Sequence, residues 1–121
     1  GVWSCEDEKS DSTNNIHPLV GVWNQTEYTI SNQNSSTTEI LDENLISTYI
    51  FNEDYTYSYD SIDWDEIGTW STNENKLTTL DELRNEVIIR DYLISNNILT
   101  LSSSYDLNGV ASIYETKWKK Q

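Results

Sequence analysis

The sequence predicts an all-β domain, an antiparallel meander of eight short strands. Three observations predict it. Composition favours strands, with five Trp and eight Tyr beside abundant Thr, Ile and Leu, and no Met. Apolar and polar residues alternate over short runs. Asn or Asp separates those runs at regular spacing, as hairpin turns require. At 121 residues the chain has room for one domain. Its core must form without a disulfide, because Cys5 is the only cysteine.

The tail comes first. Residues 1–17 read as a tether, since "EDEKSDSTNN" is acidic, polar and without aromatics and so cannot bury enough surface to fold. Pro18 fixes the backbone and marks the start of the folded domain, 18–121. Strands are expected at 21–30, 45–52, 55–62, 66–72, 76–80, 86–95, 98–104 and 110–119. Asn96–Asn97 predicts a two-residue hairpin loop, and "DLNG" at Asp106–Gly109 predicts another turn. The polar stretch Ser31–Asn44 reads as a long loop with strand-like ends, either a binding loop or a surface excursion. "LDELRNE" has the composition of a single helical turn. Eight such strands either stack as two sheets or close into an up-and-down barrel.

Charge narrows the functions. The net charge is −14, from 21 acidic and 7 basic side chains. No Lys or Arg occurs between Lys9 and Lys76, a stretch that holds twelve Asp and Glu. Such a field repels phosphate backbones, which excludes nucleic acid as a partner. No apolar run approaches the roughly 20 residues of a spanning helix. Cys5 stands among Glu6, Asp7, Glu8 and Asp11, whose charges would raise its pKa and suppress a catalytic thiolate. "GVWSC" instead resembles the end of a bacterial lipoprotein signal peptide, with Ser4 before the cysteine that would be lipidated. That resemblance implies membrane attachment through a lipid anchor in a bacterial cell envelope, at the outer membrane or cell surface.

Two Gly-x-Trp pieces repeat one pattern, "GVWN" from Gly21 and "GTWS" from Gly68, although the chain has only four glycines. Gly permits bending or a close approach, and a Trp two positions on points to the same face. Gly21, Trp23 and Gly68 therefore read as structural residues at a barrel end. "LVGVWN", "YIFNEDYTYSY", "GTW", "KLTT" and "YLISNNILTL" follow in that order. Together they resemble the small lipocalin-like domains of bacterial surface lipoproteins, over Leu19 to Lys119. The resemblance implies a single eight-stranded up-and-down barrel and a non-enzymatic role. It also implies a basic residue packed on Trp23, for which Lys117 and Lys119, on one face of the last strand, are the candidates. Tyr55 stands where the family usually has a hairpin glycine.

Catalytic chemistry has little material. The one histidine, His17, lies at the tether junction, and no Gly-x-Ser-x-Gly or phosphate-cradling loop occurs. Asp60, Asp63, Asp65 and Glu66 surround Trp64, a combination that suits a carbohydrate site, a calcium site or a solvated turn. The spacing matches no calcium loop, and neither metal nor cofactor is expected. The aromatic alternation is the stronger lead. Tyr55, Tyr57 and Tyr59, with Trp70 and Tyr92, would line a cavity if their face points inward, or fill the core if none exists. The expected function is binding a small apolar or aromatic ligand in the barrel. The alternative is a filled barrel that docks a protein partner as an inhibitor or accessory subunit.

Overall fold

In the computed structural model, which describes residues 16–42 and 46–121, the chain is all β, with no helix among the described residues. Nine strands form: β1 (Gly21–Asn32), β2 (Ser36–Ile40), β3 (Thr48–Phe51), β4 (Thr56–Asp60), β5 (Asp65–Asn73), β6 (Lys76–Asp81), β7 (Glu86–Ser95), β8 (Ile98–Leu107) and β9 (Val110–Lys120). Neighbours from β3 to β9 pair antiparallel in chain order, and β9 returns to pair with β1. Eight strands therefore close into an antiparallel barrel, with β2 as a ninth on the outside. Closure removes the open edges that an eight-stranded sheet would otherwise expose.

The turns follow from local chemistry. Asn96 and Asn97 have φ of 54° and 64°, and Asn108 and Gly109 have 53° and 82°. Positive φ at both central positions makes tight hairpins whose twist matches the strands, and Asn and Gly tolerate it best. Tyr55 is the costly case, at φ 68°. Its ring lies 5.0 Å from that of Trp70, which offsets part of the strain. "LDELRNE" forms no helical turn: β6 runs to Asp81, and the chain reverses before Glu86. Asp81 accepts from the Leu83 N–H at 3.0 Å and from Arg84 at 2.7 Å, which holds that reversal.

The first strand is longer than its sequence pattern suggests. Gly21–Asn24 pairs with β3, whereas Glu27–Ser31 pairs with β2 in a hairpin closed by Asn32. The Asn32 side chain accepts from the Asn34 and Ser35 N–H groups at 2.8 and 3.0 Å. Part of the stretch expected as a loop is thus strand, while residues 43–45 lie outside the description. On its other edge β1 pairs with β9, and the register slips between Lys117 and Trp118. Thr26 is the extra residue of this bulge, so Tyr28 and Ile30, rather than Glu27, continue the inward face of Trp23 and Gln25.

One end of the barrel is closed by packed side chains. Leu19, Trp23, Phe51, Tyr57, Leu77 and Leu99 are buried there, with Trp70 against them. The Trp23 indole N–H donates to the Leu19 carbonyl at 2.8 Å, pinning the incoming chain under the barrel. The cation over Trp23 is Lys120, its Nζ 5.5 Å from the ring centroid. Lys119 lies on the opposite, outward face of β9, because it is Lys120 that pairs with Trp23 in register.

Candidate functional site

Opposite the packed end the barrel opens into a cavity of about 280 Å³. Strand alternation places its walls. Tyr49 of β3, Tyr59 of β4 and Trp118 of β9 turn inward and make an aromatic cluster. Tyr49 lies 4.7 Å from Tyr59 and 4.8 Å from Trp118, centroid to centroid. Leu101 and Thr116 close the adjoining wall, and Tyr114 stands above them, 5.9 Å from Tyr28.

The polar groups are few and placed by the same alternation. Gln25, Glu66 and Arg90 all face the interior. Glu66 is buried, with one oxygen accepting from the Tyr57 hydroxyl at 2.7 Å and the other from the Trp64 indole N–H at 2.9 Å. Burial, then the Glu66 contact, pushes the Tyr57 hydroxyl far above its usual range. Burial likewise raises Tyr49 to about 12, with the Arg90 guanidinium beside its hydroxyl acting in the other direction. Both phenols stay protonated as donors at neutral pH. The Tyr59 hydroxyl reaches Ser47 at 3.1 Å.

The rim is tied down on one side. Ser61 to Trp64 forms a tight loop in which the Ser61 N–H donates to the Trp64 carbonyl at 2.9 Å. Trp64 stands 45% exposed at the mouth, with the Arg84 guanidinium 3.6 Å above its ring. Arg84 also donates to the Asp65 carbonyl at 2.8 Å. The acids around Trp64 separate here: Glu66 turns inward, while Asp60 and Asp65 face each other as a strand pair. A hydrogen bond to Asp65, then its charge, raises the Asp60 pKa, as a shared proton would. Two carboxyls in contact leave no space for a sugar between them. No group of three or more His, Cys, Asp or Glu among the described residues stands close enough to hold a metal.

The five aromatics singled out in the sequence go to different places. Tyr59 lines the cavity. Tyr57 lies beneath it, fully buried, and acts through Glu66. Trp70 belongs to the packed end, its indole N–H donating to the Asn52 carbonyl at 3.2 Å. Tyr92 packs part-buried near the His17 ring, at 6.3 Å. Tyr55 sits in the β3–β4 turn and, with Trp70, His17 and Ile16, borders a second recess at the closed end. Cys5 lies outside the described residues. Sequence reasoning missed Tyr49, Tyr114, Trp118, Gln25 and Arg90 as cavity residues. The alternation of "TYIF" and "YETKW" carried a signal for the first three; nothing local marked Arg90.

Compared with protein-family models, characterised proteins and solved structures, the chain shows no match to any of the three.

Proposed function

We propose that this protein is a non-enzymatic, lipocalin-like binder that holds a small ligand with an apolar or aromatic body in the barrel mouth. The observation that supports it is the open half of the interior. A core that served stability alone would continue Leu and Phe packing to both ends, whereas here aromatic walls and a few polar groups surround about 280 Å³ of space. That volume lies just under the roughly 300 Å³ at which small-molecule sites begin, which limits the ligand to one or two rings. In this reading the tether ends before Ile16 and His17, which pack at the barrel floor, and Cys5 carries the lipid that holds the barrel at a bacterial envelope.

Trp64 and Trp118 both border the cavity, so binding has an intrinsic reporter. Titrating neutral aromatic compounds should give a saturable, one-to-one change in Trp fluorescence. Ser103→Trp, which fills the mouth, should weaken it by about tenfold or more, since overpacking a site of this size costs about 1–3 kcal/mol. No saturable response from an intact barrel overturns the proposal.

The outer surface favours a second reading. Val87, Ile89 and Leu93 of β7 point outward and are 62%, 60% and 65% exposed, with Ile67 of β5 also exposed. Exposed apolar residues of this kind, set around the Lys76–Asp91 pair, are what a docking module would present to a protein partner.

A further inference from the structure

We propose that the ligand is a small organic anion whose single acidic group is gripped by Arg90, with its apolar body against Tyr49, Tyr59 and Trp118. This rests on the cavity-binding reading and names its ligand class.

Arg90 faces inward because it pairs with buried Leu77 on β6, and the guanidinium reaches the cavity wall. Among the described residues it is the only cation there. Lys76 is paired with Asp91 on the exterior, and Arg84 is committed to Asp81 at the rim. Lys120 lies over Trp23 at the closed end. Yet among the described residues Arg90 itself has no carboxylate within ion-pair distance. The one acid in the cavity, Glu66, already has both oxygens engaged by Tyr57 and Trp64.

A guanidinium carries five N–H donors in a fixed fork, and the Tyr49 hydroxyl engages few of them. Glu66 shares the cavity but makes no ion pair with Arg90, so the remaining donors of the fork are left for a carboxylate or sulfonate, which would meet them in bidentate fashion. The hydroxyls of Tyr114 and Thr116 stand nearby as further donors. The chain's charge of −14 opposes polyanions, which limits the fit to one acidic group per ligand.

Two fluorescent probes with the same two-ring body separate the ideas: anionic naphthalene-2-sulfonate and neutral 2-methylnaphthalene. Arg90→Met keeps the length and apolar stem, and circular dichroism verifies its fold. The anionic probe should lose about 10- to 100-fold in affinity for Arg90→Met, the scale of a charge-assisted bidentate contact. The neutral probe should change less than about threefold. Arg90→Lys, which keeps the charge without the fork, should fall between wild type and Arg90→Met. Equal losses for both probes, or an anionic probe indifferent to Arg90, overturn the anion grip while leaving the binder in place. If neither probe binds the intact wild type, the binding reading falls and the grip with it.

Discussion

At the scale of single residues, His17 joins the incoming chain to the barrel floor. Its Nδ1 accepts from the Leu19 N–H at 3.0 Å, so the neutral ring carries its proton on Nε2, 3.2 Å from the Thr72 hydroxyl. The ring meets the edge of Trp70 at 5.3 Å, with Glu53 and Tyr55 across the recess. Burial lowers its pKa below 6.5. A protonated ring loses the Leu19 contact, so the folded state takes up the proton less readily than the unfolded chain. Stability therefore falls as pH drops through about 6.5 toward the lowered value. His17→Asn retains an acceptor for the Leu19 N–H but cannot titrate. Melting temperatures between pH 7.5 and 5.5 should decline for wild type and stay flatter for His17→Asn; parallel curves would remove His17 from the account. Asp81 and Asp54 act at lower pH. Burial alone would raise Asp81, but its bonds from Arg84 and Leu83 hold it below the usual carboxylate range, and Thr56 does the same for Asp54. Both contributions disappear as pH falls below about 4.

At the scale of elements, two glycines test two different demands. A Cβ on Gly68 would stand 1.6 Å from the Leu80 carbonyl oxygen and 3.2 Å from the Tyr57 ring. The obstacle is neighbouring backbone, so β5 and β6 must separate to admit it. Gly109 has open space around its missing Cβ and needs glycine only for its φ of 82°. Gly109→Ala should cost about 1–2 kcal/mol, the left-handed penalty alone. Gly68→Ala should cost about 3 kcal/mol or more, at the top of the overpacking range or beyond it. Urea midpoints at unchanged slope provide the comparison, and equal costs would mean that the β5–β6 approach relaxes freely. The β1–β9 bulge at Thr26 is the other element-scale device. It puts Tyr28 and Ile30 in register with Thr116 and Tyr114, and the Tyr28 ring comes within 5.9 Å of that of Tyr114, a cavity residue.

At the scale of the whole molecule, charge is the dominant feature. An excess of 14 negative charges on a barrel this small repels itself, and few ion pairs relieve it among the described residues. Raising NaCl from about 10 mM to 1 M shortens the screening length from roughly 30 Å to 3 Å. The melting temperature should rise by several degrees over that range. An unchanged value would show that the acidic groups are spaced widely enough for water alone to screen them. The same field weakens the capture of anions from afar, so a ligand's acidic group must be recognised at short range, by Arg90.

The eight barrel strands, their order and most of the turns were legible in the chain, because β-alternation and positive-φ chemistry at Asn96–Asn97 and Asn108–Gly109 are local properties. Closure was expected from the family resemblance and not from alternation, and the ninth strand was not expected at all: whether β9 meets β1, and which half of β1 meets β2, depends on pairings between distant segments. The cavity was legible only in outline. Tyr57 and Tyr59 share a face by simple alternation, but alternation cannot say which layer is packed and which is open. Tyr55 left that face because its backbone turns at φ 68°. Lys120 replaced Lys119 over Trp23 because pairing across β1 and β9 sets which lysine points in. Local sequence specifies the backbone's period and turns, whereas register, bulge and barrel closure decide what stands inside. It is these long-range terms that bring Arg90, Glu66 and the aromatic walls to one mouth.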